Sequence, residues 1–231
     1  MTGYLQYLNT HGMSERTAVE RRAPTRARRQ AQTRAELVAA AERLFVSQGF
    51  HATTLDAVAD AAGYTKGAVY SNWSGKEDLF LAVYEQRVGR FLPRLREALA
   101  TARDAREGML AVLATHRSQQ DQEPDHWLAV FLEFWTHVLR HPELRARFAA
   151  VHMRYVDELA AGMERCVAEA GAAPPFDVRR LTVAVSTMTT GLGLERLTQP
   201  ELLDAPFVVD VQRFVVDSLI IQSGGTLERT P

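Results

Sequence analysis

The chain has 231 residues, 46% hydrophobic and 24% charged, with a formal net charge of −1, the profile of a globular protein with a substantial core in one large or two modest domains. No apolar run reaches the ~18–20 residues that span a bilayer, and the first thirty residues are polar and arginine-rich, without the apolar stretch of a secretory leader. One cysteine, Cys166, excludes an intrachain disulfide, so the expectation is a cytoplasmic protein.

Residues 1–31 lack hydrophobic periodicity and contain Pro24; the composition predicts a disordered basic arm. Six arginines in residues 1–30 (Arg16, Arg21, Arg22, Arg26, Arg28, Arg29) face only Glu15 and Glu20, a balance of +4, which leaves −5 on the other 201 residues. Such an arm suits phosphates or a minor groove, and Met13 offers an alternative start. From Thr33 the pattern changes. Leu37, Ala40, Ala41, Leu44 and Phe45 form one helical stripe, and Gly49 stands where a terminating glycine is expected.

The segment from Gly49 to Leu79 is the most informative. Thr53 or Thr54 caps a helix, with Asp56 placed to return the capping interaction to Thr53. Leu55, Val58, Ala59 and Ala62 form its inward face, and Gly63 ends it in a tight turn. Thr65 caps a second short helix, Lys66 to Trp73, that buries Val69 and Trp73 and leaves Lys66, Gly67, Ser71 and Asn72 towards solvent. Two short helices joined by a Gly-containing turn make a helix-turn-helix, whose second helix enters the major groove. Gly67 lets that helix approach base edges closely, while Tyr70 and Lys76 flank it within reach of phosphates.

Everything after residue 75 also has helical spacing. Segments are predicted at 76–102 (kinked at Pro93), 105–119, 125–140, 143–170, 176–197 and 205–222, separated by Gly, Pro and Asp clusters. No stretch sustains a period of two. The fold class is all-α: a helix-turn-helix head at 32–80 after the 1–31 arm, and a larger helical-bundle body at 81–231.

On Gly49-Phe50, Thr53-Thr54, Val58-Ala59, Ala62-Gly63, Thr65-Lys66-Gly67, Val69-Tyr70, Trp73, Lys76-Glu77 and Leu79, the chain resembles the tetracycline-repressor (TetR) family of bacterial regulators over residues 33–83 without a gap. Asn72-Trp73 departs from the family's frequent His-Phe, and Tyr64 from a usual small aliphatic residue. The resemblance implies a homodimer on a near-palindromic operator, usually a repressor released by a small molecule. It implies base contacts from Lys66, Gly67 and Ser71, phosphate contacts from Thr54, Thr65, Tyr70, Asn72 and Lys76, and a bracing role for Trp73.

In the body, Trp127, Val130, Phe131, Phe134, Trp135 and Val138 share a stripe widened by Leu128, Leu132 and Leu139, the signature of a helix buried on several sides. Trp127, Phe131, Phe134, Trp135, Tyr155, Met188 and Leu192 are candidate ligand-lining residues, Met153 and Met163 lie nearby, and His137, His152 and Glu195 are candidate orienting groups. Each of these also fits simple core packing. Glu133, His137 and His141 recur every four residues, as zinc ligands can, but Pro142 disfavours helix at His141, and no metal is expected. Two terminal helices carry a dimer seam, from Ala184, Thr187, Thr190 and Gly191 on one and Phe207, Val208, Val211, Phe214, Val215, Leu219 and Ile220 on the other. No cofactor signature is present: Gly191-Leu192-Gly193 lacks the strand-turn-helix setting of a dinucleotide fingerprint, and Ser186 and Ser218 have no nucleophile elbow, so an enzyme is not expected. The alternative to a ligand-responsive regulator is a ligand-independent architectural DNA binder.

Overall fold

The structure, a computed structural model, describes residues 25–121, 126–171, 173–174 and 176–222. These form α1 (Arg26–Ala52), α2 (Leu55–Ala62), α3 (Lys66–Tyr70), α4 (Lys76–Thr101), α5 (Ala105–Asp121), α6 (His126–Arg140), α7 (Pro142–Glu169), α8 (Val178–Thr198) and α9 (Ala205–Gln222). The all-α class stands, and the body helices fall within about two residues of their expected limits.

α1 begins earlier than the apolar stripe does. Arg26 to Ala31, placed in the arm by the sequence, form its first turns, with the Thr25 hydroxyl accepting from the Arg28 N–H at 3.3 Å. Arginine, alanine and glutamine are strong helix formers, so a capped, solvated helix can extend here with no inward face to reveal it. The rest of the arm, residues 1–24 with Arg16, Arg21 and Arg22, lies outside the described residues. α4 continues through Pro93, and Pro142 occupies the first turn of α7, where its missing N–H costs nothing.

Two apolar clusters organise the chain. The first joins the head to the body: Leu37, Ala41 and Phe45 of α1, Val58 of α2, Val69 of α3 and Leu79, Phe80 and Val83 of α4 run directly into Val130, Phe134 and Val138 of α6 and Phe148 of α7. Phe80 and Phe134 stack with centroids 4.0 Å apart, and Phe50 meets both edge-on at 5.5 and 5.1 Å. Each fully buried phenyl contributes ~1.5–3 kcal/mol, so this junction is a packed interior.

The second cluster gathers Phe91 and Leu95 of α4, Met109, Val112 and Leu113 of α5, Tyr155, Leu159 and Met163 of α7, Val185 of α8 and Val216 and Ile220 of α9. A two-pronged ion pair, Arg106 Nε to Asp217 Oδ1 at 2.6 Å and Nη2 to Oδ2 at 2.9 Å, ties α5 to α9. Cys166 is buried where α5 and α7 pass closely; a Cβ added at Gly108 would come within 2.6 Å of its Sγ.

Candidate nucleic-acid interface and effector site

α2 starts at Thr54, whose hydroxyl accepts from the Ala57 N–H at 3.1 Å. Thr53 instead donates its hydroxyl to the Gly49 carbonyl at 2.8 Å. Asp56 returns no capping bond to Thr53: its carboxylate takes the Lys66 ammonium at 2.5 Å, a charge partner outweighing a neutral backbone N–H. Gly63 closes α2 in the left-handed region, φ 72°, and places α3 across it.

α3 is a short helix, Lys66–Tyr70, ending three residues before the expected Trp73. Its buried side carries Val69 and, just beyond, Trp73. Thr54, Thr65, Lys66, Gly67, Tyr70 and Ser71 are all exposed together on the outer face. An added Cβ at Gly67 would meet only Thr65 Oγ1, at 3.8 Å. Among the described residues, nothing packed against that position requires a glycine there.

Two of the expected phosphate contacts, Asn72 and Lys76, are placed differently, whereas Trp73 has the bracing place expected of it. Trp73 is 5% exposed, with the Arg34 guanidinium 4.5 Å over its ring, so it braces the head from inside. Asn72 is half-buried and donates to the Ala68 carbonyl at 2.8 Å. Lys76 turns inward, donating to the His51 carbonyl at 3.0 Å above the Phe50 ring, and burial lowers its pKa. Tyr64, the unusual residue of the turn, donates to Glu36 of α1 at 2.5 Å and so pins the turn to α1.

In the body the expected ligand residues divide. Phe131 and Trp135 of α6 meet Phe148 and His152 of α7, with Trp135 5.0 Å from Phe148 and 5.1 Å from His152. Tyr84 of α4, absent from the sequence reading, completes the group through a 2.8 Å bond between its hydroxyl and His152 Nδ1. Tyr155 adjoins this group, 6.2 Å from the His152 ring, but belongs to the second cluster, as does half-buried Met188. Leu192 is half-buried further along α8. Glu195 is exposed and engages Gln199 one turn on. Phe134 and Trp127 are head-side packing: Trp127 stacks on Phe80 at 5.6 Å and carries the Arg87 guanidinium 3.8 Å above its ring.

His137 lies at the head junction. Its Nε2 is 3.3 Å from Glu77, and its ring is 5.2 Å from Phe50. Glu133 accepts from the Phe50 N–H at 2.8 Å and the His51 N–H at 3.4 Å, and His141 Nδ1 bonds the His137 carbonyl at 2.7 Å. The Glu133 and His137 contacts are latches between α6 and the head, while the His141 bond stays at the end of α6 itself. Among the described residues, no group of three His, Cys, Asp or Glu side chains converges to hold a metal ion, and no helix is long and apolar enough to cross a membrane.

Burial lowers the pKa of both His152 and His137, in the latter case helped by His141. A histidine with a depressed folded pKa binds protons more readily when unfolded, so stability is full above the unfolded value of 6.5 and declines as the pH drops below it. The melting temperature is therefore expected to fall between pH 7.5 and 5.5, and His152→Gln is expected to blunt that fall in a thermal-denaturation series.

The terminal helices present an uncovered apolar face. Phe207, Phe214 and Ile221 lie seven residues apart on α9, at 47, 72 and 59% exposure, and Val183 and Leu194 of α8 are exposed as well. Val208 and Ile220, counted with the seam from sequence, are 3 and 4% exposed and belong to the chain's own interior, because they lie on the opposite side of α9.

The profile described as "Bacterial regulatory proteins, tetR family" matches residues 37–83, and "BetI-type transcriptional repressor, C-terminal" matches residues 105–220. The chain belongs to the TetR family of transcriptional regulators. This TetR-family chain is 38% identical over 80 residues to the HTH-type transcriptional activator FasR of Mycolicibacterium smegmatis, covering 35% of this chain and 36% of that one. The chain spans less than two thirds of the length of the curated relatives it matches. A transcriptional regulator from Pseudomonas aeruginosa PAO1 superposes with a TM-score of 0.66 at 25% identity over 83% of this chain and 91% of that one. FadR from Bacillus subtilis in complex with stearoyl-CoA does so at 0.62 and 20% identity, over 80 and 97%, a likeness of fold.

Proposed function

We propose that the protein is a homodimeric, sequence-specific repressor that leaves a near-palindromic operator when a small, largely apolar ligand enters the aromatic centre of its body. The observation that carries this reading is the double attachment of α6. Glu133 and His137 hold the head, through Phe50, His51 and Glu77, while Phe131 and Trp135, within one turn of them, pack on Phe148 and His152. A molecule that spreads the aromatic group moves the helix on which the head is latched. Tyr84 and His152 supply polar groups in an otherwise apolar setting, the mixture that orients small ligands. α4 also runs from the head into the body, but α6 carries both attachments.

The ligand must favour the released arrangement; a preference of about 2–3 kcal/mol weakens operator binding ~30- to 150-fold. The exposed Phe207, Phe214 and Ile221 face supports pairing with a second copy, which spaces two α3 helices for half-sites about one DNA turn apart, ~34–36 Å.

The test uses duplexes selected by the protein from a randomised library, with small apolar compounds added in turn. Acyl chains come first, since the Bacillus subtilis relative was solved with stearoyl-CoA. A compound that raises the melting temperature and releases the duplex, and whose effect Trp135→Ala abolishes, supports the reading. A protein that selects a sequence but ignores every such compound is the architectural binder.

A further inference from the structure

We propose that Asp56 determines DNA discrimination by holding Lys66, so that the reading helix gives up its one ammonium only to a matching base. This rests on α3 being the DNA-reading helix. Lys66 Nζ lies 2.5 Å from Asp56 Oδ2, and the two side chains are 62 and 45% exposed. An ion pair that open to water contributes little to the fold, so it is not needed to keep α2 against α3, which Val58, Ala59 and Val69 already do from inside.

The charge count of the unit sharpens the point. Residues 54–73 contain Asp56, Asp60 and Lys66 as their charged side chains, a net −1, and Asp60 is exposed one turn along α2 from Asp56. Both acids raise the pKa of Lys66. Binding to arbitrary DNA is driven by phosphate charge, and a lysine already matched by a carboxylate adds little to that attraction. The phosphate-seeking charge lies instead on α1, where Arg26, Arg28, Arg29 and Arg34 are exposed. At a matched site a guanine edge offers the ammonium two acceptors, O6 and N7, in exchange for the carboxylate. At a mismatched site the exchange brings no return, so Lys66 stays with Asp56 and adds no phosphate attraction of its own. Discrimination then arises because wrong sites are denied the lysine's charge.

The experiment titrates the full-length protein against its library-selected duplex and a shuffled duplex of the same composition, over a salt series. Asp56→Asn is expected to tighten binding to the shuffled duplex about fivefold and to steepen its salt slope by about 0.9. Binding to the selected duplex should change less than twofold, so the specificity ratio falls. Asp56→Glu, which keeps the carboxylate, should preserve the ratio. On a Lys66→Ala background, Asp56→Asn should no longer alter it. The proposal is overturned if Asp56→Asn weakens both duplexes alike at unchanged slope, if it changes neither, or if its effect persists without Lys66. Failure of the wild-type protein to enrich any sequence would instead overturn the DNA-reading assignment beneath it.

Discussion

Phe214→Glu is expected to leave the protein monomeric at micromolar concentration and to weaken operator binding by at least ~100-fold, about 2.7 kcal/mol. Phe214 is 72% exposed in the middle of α9, so the subunit alone gains little from it. In a two-fold pairing the same ring is buried twice, once from each subunit. Burying a phenyl contributes ~1.5–3 kcal/mol, and placing an unpaired carboxylate in its stead carries a further cost. Loss of the pair leaves one reading helix for one half-site. Sedimentation velocity and operator titration read the two effects, and Phe214→Leu serves as the control that stays dimeric. A variant that remains a dimer, with wild-type operator affinity, would place the contact elsewhere.

Gly49→Ala is expected to cost about 4 kcal/mol, lowering the melting temperature by about 10 °C in a chain of this size. Gly49 has φ 84° and ψ 168°, a region that is essentially glycine-only and strains other residues by ~1–3 kcal/mol. An added Cβ would also lie 2.8 Å from Glu133 Oε1. The carboxylate must then leave the Phe50 and His51 N–H groups, each a hydrogen bond to a charged acceptor worth ~1.5–3 kcal/mol. Thermal denaturation measures the sum. Glu133→Gln, which keeps the shape of the latch, should cost far less yet reduce the release of operator by ligand; equal loss from both substitutions would show that Gly49 matters only through Glu133.

The parts of this molecule that were legible in its sequence are those fixed by periodicity and by turn chemistry. The stripe of α1, the Gly63 turn, the outward Lys66, Gly67 and Ser71 (though not Asn72, which is half-buried), and the body helices all follow from local rules. The misplacements have a common physical source, the choice between alternative partners in space. Lys76 has the charge to meet phosphate, yet the His51 carbonyl and Phe50 ring lie within its reach. Glu133 was weighed as a metal ligand for its spacing, but two backbone N–H groups 82 and 83 residues away claim it. Phe134 and Phe131 share one helical stripe, and only the packing of α1 and α7 sends the former to the head and the latter to His152. Tyr84 carried no signal at all, since its role depends on His152, 68 residues on. Val208 and Phe207 are adjacent apolar residues, and the sequence does not say which faces inward.

The thiol of Cys166, wedged against Gly108 and pushed by burial above its ordinary pKa, is shielded from reagents as long as α5 and α7 stay pressed together. Because no second sulfhydryl exists in the chain, its alkylation in native buffer becomes a stopwatch for momentary parting of those two helices. An effector that tightens the interior would slow that clock, and one that loosens it would speed it, without any label having to be engineered.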